Sequence, residues 1–552
     1  MRLLPNVKLL LPQFFHEAEV VMAYPSLGLL VATSVVAYVV FVVIYRLYFH
    51  PLARYPGPFW ASISTIPSWW YTIKQDRHVW LWRLQQQYGP TFRYRPDAVL
   101  INKPTAYRTI FGPKGNVKKS DYYRVWPRSA EVTSTWNVTD IPSHARKRRV
   151  LNQTFSEKAL RSIEPFVHSN TDRWLDLIEQ NAADKQQSLN MAHEINHLVF
   201  DILGDLCFGK SFEMKEPGSD KRYIPEVLAT FLALFHPICF SPFADWWVWA
   251  KPRGLDWLLN IASPPAVTNW EKIVASCLDE RTKVEEALQN SDHPEQEARK
   301  DFFHYLFNAK DPETGSGYSL SELYGECELL IVAGSDTTSI VMSAMLFYLA
   351  RNPEVQTKLA NEIKSTFTNY NAIAGGSQLH SCRYLKAFIQ EACRMNPPVS
   401  AEPAREVLAG GTAIDGQYFP EGTKLSISCY CLSYNPDVYP EPFEFRPERW
   451  ILADNDNPHG ASAESLTLAE SGFCAFSTGS RGCVGKNLAW LEMMIVMAKL
   501  VYRFEVKQDP ESSLGGGDPN MPEGRREVGQ YQVYDAFVGL RDGPMVMFNA
   551  RK

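Results

Sequence analysis

The chain has 552 residues and a formal charge of −5, with 45% of its residues apolar and 13% aromatic. The slight acidic excess argues against nucleic acid as a partner, and the apolar content suffices for one large core. Ten cysteines without a C-x-x-C pair indicate neither a zinc site nor a disulfide framework, and they fit a reducing compartment.

No charged residue occurs from Val20 to Tyr45. Residues 26–45, as a helix, are long enough to cross a hydrocarbon core of about 30 Å. A cleaved signal peptide fits less well, because the run is long, starts late and lacks a small-residue cleavage site. Glu17 and Glu19 precede the span, and Arg46 and Arg54 follow it. The charge asymmetry therefore predicts a lumenal segment 1–25, an anchor 26–45 and a cytosolic remainder. A Pro-rich hinge, 46–60, ends in Tyr55-Pro56-Gly57-Pro58, a stiff non-helical elbow. Residues 61–552 have no long internal linker and read as one domain, although length alone suggests several.

Residues 88–95 and 98–102 predict a hairpin with Pro96-Asp97 at the turn. Helical patterns dominate from Ser143 to about Tyr370, broken at 216–220 and 289–301. Strand-like pieces return at 405–407 and 424–431, then irregular chain at 435–465 and a Gly/Pro-rich loop at 511–529. The expectation is a mostly α fold with small β-sheets behind a single N-terminal transmembrane helix.

Ser143 is the expected cap of a helix on which His144 and Arg148 share one face. Arg146, Lys147 and Arg149 read as a solvated face or as a docking patch for an acidic electron donor. Ser319-x-x-Glu322 is a capping box that opens a helix running to Arg351, where Asn352-Pro353 ends it. From Leu329 to Leu349 this helix is apolar nearly all round, which means burial, yet it contains Ala333-Gly334-Ser335-Asp336-Thr337-Thr338. A buried acid needs a partner or a task; a satisfied structural Asp–Thr pair is the plain alternative. Small Ala333 and Gly334 leave room against a flat ligand, and Gly334 invites a local bulge where a hydroxyl bonds a carbonyl. Glu391 and Arg394 pair at i, i+3 on another helix.

The stretch from Phe476 to Gly485 is the most informative. Cys483 lies in a loop before a helix beginning near Asn487, where backbone donors and positive potential favour a thiolate. Gly479 and Gly485 are expected to let the backbone turn and approach a flat ligand. Arg481 can pair with a ligand carboxylate, and Phe476 forms an aromatic wall. A lone buried cysteine explains none of these neighbours.

These ten residues resemble the haem-binding loop F-x-x-G-x-R-x-C-x-G of the cytochrome P-450 family, with every fixed position met. Ala333 to Thr337 is similar to its oxygen-side A-G-x-D-T, and Phe445-Arg-Pro447-Glu448-Arg449-Trp450 to its P-E-R-F/W segment. The run from Arg46 to Leu52 looks like the junction of fungal microsomal members. Departures are Ala475 and Ser480, where relatives carry proline, and His144, which stands where a tryptophan is usual. The resemblance implies a cytochrome P-450 fold and haem b with Cys483 as its axial thiolate and metal ligand. It implies propionate contacts from Arg148 and His144. Asp336 would gate protons and Thr337 would hold dioxygen and its proton-delivering water. Glu391, Arg394 and Arg449 would form a structural network behind the haem loop.

The resemblance also implies a monooxygenase in the endoplasmic reticulum membrane with its catalytic domain on the cytosolic side. It would oxidise a lipophilic small molecule with O2 and electrons from NADPH–cytochrome P-450 reductase, with cytochrome b5 as an accessory donor. The fungal-looking junction points to tailoring in secondary metabolism. The aromatic stretch from Phe231 to Trp249 falls where the family builds its substrate access, against membrane lipid. A haem-thiolate isomerase or dehydratase is the alternative, although such members often lose the acid–alcohol pair kept here. A haem sensor would need no proton relay.

Overall fold

The computed structural model describes residues 25–551 except 128–131, 184–186, 292–297 and 456. All of the expected lumenal segment before Pro25, including Glu17 and Glu19, lies outside the described residues. The first helix, Pro25–Ile44, continues as a π-helix through Tyr45–Phe49. Gly28–Phe49 is long and apolar enough to cross a membrane, and its most apolar stretch is not buried in the rest of the chain.

The hinge is fastened rather than free. Arg46 Nη1 donates to Ile63 O at 2.6 Å, and Arg93 Nη1 donates to Arg46 O at 2.7 Å. Leu52 and Tyr55 are buried. At Gly57 a Cβ would come within 2.0 Å of Arg93 O, so glycine is needed for the elbow to pass over the first strand.

That strand, Thr91–Arg95, pairs antiparallel with Ala98–Ile101, as the hairpin pattern predicts. Three further strands extend the sheet in the order Lys424–Ser426, Arg405–Val407 and Val117–Lys119. The expected strand 424–431 is cut short at Ser426. Ser428 accepts from Cys431 N and starts a short helix, Cys429–Ser433. Smaller sheets include the hairpin Tyr534–Ala536 and Val538–Leu540 near the C-terminus. The remainder is mostly helical.

The central helix is Leu320–Arg351, with both capping-box bonds made between Ser319 and Glu322. It is the second segment apolar enough to span a membrane, but most of it is buried, so it is the core of the globule. Its main neighbour is the helix Met191–Phe208. Gly334 belongs to that contact, since a Cβ there would meet Leu203 Cδ1 at 2.8 Å. The glycine's smallness therefore serves helix packing, and the expected bulge is absent: the helix is continuous α through this turn.

The helix Ile141–Thr154 is capped by Asp140, not Ser143; the Asp140 side chain accepts from Ser143 N at 2.9 Å. Pro142 sits in the first turn and takes the place of an N–H that would have no partner. The arginines behind it form no free docking patch. Arg146 pairs with Glu322, and Arg149 Nε meets Asp311 Oδ1 at 2.6 Å. Lys147 is buried, 3.1 Å from Glu322. These contacts clamp the helix to the first turn of the central helix and to the segment before it.

Candidate active site

Cys483 precedes the helix Lys486–Arg503, of which Gly485 is the N-cap. Its N–H donates to Phe476 O at 2.8 Å, closing the loop on itself, and Gly482 N donates to Gly479 O at 3.0 Å. Gly479 has φ +70°, and a Cβ there would lie 2.1 Å from Phe111 O, so both conformation and space require glycine. Gly485 differs: its φ is −81° and a Cβ would meet only Phe155 at 3.7 Å. The protein alone therefore does not demand glycine at 485.

Of ten free cysteines, nine are buried and Cys483 alone is exposed. It nonetheless lies deep among protein atoms: burial pushes its thiol up, opposed by the Gly485 N–H and by Arg148 and Lys486. Phe476 is half-buried, 6.3 Å from the Trp490 ring.

Arg148 Nη1 donates to Gly482 O at 2.6 Å, tying the helix Ile141–Thr154 to the loop, and Arg481 Nη1 donates to Val138 O at 2.7 Å. His144 is buried, and burial holds its imidazole neutral, down to about 3, reinforced by Arg481, Lys119, Arg148 and Arg405. Burial also lowers Arg481 to about 10, with Arg405 beside it. Among the described residues none of these four cations forms an ion pair. Such unneutralised positive charge is the donor set that a dianion requires. An accessible thiol backed by four unpaired cations fits haem, with its iron and two propionates. Lys119 and Arg405 were not read from the sequence. No local motif marks them, because they meet only where two distant strands pair, Lys119 opposite Arg405.

On the central helix, Asp336 is buried while Ala333 is exposed and Thr337 half-buried, which leaves an open face beside a stretch, 335–349, that is otherwise buried. The Thr337 hydroxyl donates to Ala333 O at 2.7 Å, the bond expected of it without the bulge. Burial raises the Asp336 carboxyl to about 6, against the opposing charge of Arg541. An aromatic cluster adjoins the cations. Lys119 Nζ lies 4.0 Å from the Tyr123 ring centroid, and Phe537 packs on Trp136 at 5.0 Å and on Tyr122 at 5.7 Å. Phe537 has φ +75°, uncommon for a bulky residue, at the tip of the hairpin 534–540. The density of Tyr122, Tyr123, Trp126 and Trp136 was the available sequence signal for this cluster.

Glu391 is fully buried and multiply bonded. Arg394 Nε and Nη2 each reach a carboxylate oxygen at 2.8 Å, Arg449 Nε reaches Oε1 at 3.3 Å, and Trp450 Nε1 donates to Oε2 at 2.8 Å. Burial opposes the Glu391 charge, but the two guanidinium groups hold it below the usual range. Arg394 also ties down Ser433 O and Pro442 O, and Arg449 ties down Pro440 O. The network pins the irregular chain that runs towards the cysteine loop.

Residues 55–522 match the family model described as Cytochrome P450. The chain is 32% identical over 530 residues to cytochrome P450 monooxygenase AKT7 of Alternaria alternata, covering 94% of this chain and 96% of that protein. It is 32% identical over 525 residues to cytochrome P450 monooxygenase fscF of Fusarium equiseti, covering 94% and 96%. Similarity at this level along nearly the full length agrees with the thiol, the cations and the open helix face, and the chain belongs to the cytochrome P450 family of oxygen-incorporating, cysteine-ligated haem enzymes.

Proposed function

We propose that this chain is a membrane-anchored monooxygenase that oxidises a lipophilic small molecule in a tailoring step of fungal secondary metabolism. The observation that carries the reading is the single accessible thiol, Cys483, beside four cations that have no carboxylate partner among the described residues. Cys483 would ligate the haem iron, and Arg148, Arg481, Arg405 and Lys119 would hold the propionates around a neutral His144. Haem bound there supplies the oxidising power, with thiolate donation favouring O–O cleavage. Asp336 holds and releases a proton near neutral pH, and the Thr337 hydroxyl positions it at the open helix face. The aromatic cluster around Phe537 excludes water and receives an apolar substrate.

Anchoring rests on the helix Gly28–Phe49 and on Arg46 and Arg54 after it, which favour a cytosolic globule on the endoplasmic reticulum. The helices Ile224–Phe240 and Ala244–Arg253 meet at 108° and expose Phe243, Trp246 and Trp249. Such a face lies in a bilayer interface, from which a lipophilic substrate enters. Electrons come from a separate NADPH-dependent flavoprotein reductase, because no G-x-G-x-x-G follows a strand in this sequence.

Reconstitution with a reductase and NADPH, followed by metabolite comparison between cells with and without the protein, tests the reading. Oxygenated products that require NADPH are expected, and the reduced protein under carbon monoxide gives the red-shifted Soret band of thiolate ligation. Cys483→Ser abolishes both. NADPH-independent rearrangement of a peroxide would instead favour the isomerase class, and a normal thiolate band in Cys483→Ser would move the ligand elsewhere.

A further inference from the structure

The C-terminal hairpin delivers a guanidinium to the turn of the central helix that carries Asp336. Arg541 follows the strand Val538–Leu540, and its Nη2 donates to the Ser339 hydroxyl at 2.6 Å and to Asn196 Oδ1. Ser339 stands three residues after Asp336, one turn along the same face. Its own hydroxyl bonds the carbonyls of Ser335 at 2.6 Å and Asp336 at 3.2 Å. Arg541 is thus held at both partners by one nitrogen, while its Nε is buried without a hydrogen-bond partner. A cationic N–H left in this state is costly unless a negative charge stands near it.

Asp336, one turn before Ser339, is the carboxylate whose charge acts on Arg541, with no ion pair between the two. The carboxylates of the neighbouring helix Met191–Phe208 are engaged elsewhere: Glu194 by Arg222, Asp201 by Lys215 and Asp205 by Arg299. Of that helix's histidines, His193 lies 3.9 Å from Asp542 and His197 lies 3.3 Å from Arg222 O. The Tyr531 hydroxyl, also near Arg541, donates to Gly543 O at 2.6 Å. Arg394, on the next helix packed against this one, is bound to Glu391.

We propose that Arg541 is a positioning residue for the oxygenation reaction, bonding the Ser339 hydroxyl that itself bonds the Asp336 carbonyl and so fixing a positive charge one turn from the Asp336 carboxyl, so that the C-terminal hairpin and the central helix set proton delivery jointly. This rests on the reading of Asp336 as proton donor. Burial raises the Asp336 carboxyl to about 6, and Arg541 is the charge that opposes the rise. Removing that positive charge therefore raises the carboxyl further and increases its protonated fraction at neutral pH.

Infrared difference spectroscopy of the full-length holoprotein against pH tests this directly, with Asp336→Asn identifying the carboxyl band. The wild-type band should titrate near 6. In Arg541→Gln the midpoint should move up by about one unit, as loss of a nearby opposite charge requires. Arg541→Lys should restore it, and Arg541→Met, also uncharged, gives the same readout if the glutamine variant folds poorly. An unmoved midpoint in a folded, haem-loaded uncharged variant overturns the proposal, as does an unrestored midpoint in Arg541→Lys. In reductase-supported NADPH oxidation, the fraction of electrons released as hydrogen peroxide should rise in Arg541→Gln and Asp336→Asn and rise no further in the double variant. Additive increases would mean independent roles and overturn the coupling. An unchanged fraction in Asp336→Asn would instead defeat the proton-donor reading, whereas the infrared midpoint decides the Arg541 pairing separately.

Discussion

Glu492 lies buried in the helix after the cysteine loop with Oε1 unpaired, and burial raises its carboxyl to about 8 from the usual 4.5. Between those two pH values the folded chain keeps a proton that the unfolded chain releases, so stability falls as pH rises across the window. Glu492→Gln should remove that slope and gain on the wild type as pH goes from 4.5 towards 8, read from melting temperature against pH. A constant offset would show that Glu492 does not titrate there. Asp336→Asn and Thr337→Ala should leave the carbon monoxide spectrum largely intact and lower product formed per NADPH. An unchanged ratio in both would remove the pair from proton delivery. Residues in contiguous motifs were legible because spacing fixes local geometry: Cys483, Phe476 and Gly479 fall where the loop pattern puts them. Lys119, Arg405 and Arg541 carried no such signal, since each acquires meaning only from a neighbour far away in sequence.

At the scale of elements, the Glu391 network and the helix Ile141–Thr154 are braces. Glu391→Ala strands Arg394 and Arg449 in the interior at a cost of about 3–5 kcal/mol, a large share of a domain's stability. Little haem-loaded protein is expected, and a folded, haem-replete but slow variant would point to a catalytic role. Reversing Arg146 and Arg149 to glutamate breaks the pairs with Glu322 and Asp311. Turnover supported by reductase and by peroxide should fall together, with loss of thermal stability. Selective loss with the reductase would reinstate a docking role. The sequence displayed these arginines as a basic run because it cannot register acids more than 150 residues away. The strand expected at 424–431 stops early for a similar reason: apolar residues 427–432 suit a buried helix as well as a strand, and Ser428 decides by capping.

For the whole molecule, the proposed function makes the N-terminal helix an address and leaves the chemistry to the globule. Removing residues 1–44 leaves Arg46 bound to Ile63 and Arg93, so the haem spectrum should survive while much of the protein leaves the membrane fraction. Residual adhesion should persist through exposed Trp246, Trp249 and Trp257 and disappear when these three become serine. Full release by truncation alone would argue that the aromatic face is not in the bilayer. The sequon Asn152-Gln153-Thr154 begins at an exposed asparagine and should carry no glycan in a cytosolic globule. Finding one would invert the topology.

The sequence by itself determined the apolar N-terminal helix, the capped central helix, the cysteine loop and the Glu391–Arg394 pair. Each is written in a short run whose spacing dictates which groups share a turn or a face. Tertiary packing decided the rest. It buried nine thiols and left Cys483 accessible, gathered four cations from separate elements around His144, and set Gly334 against Leu203. It also paired the basic run internally and brought Arg541 beside the turn of Asp336. Burial and charge at a point depend on every element packed there, which no local pattern encodes.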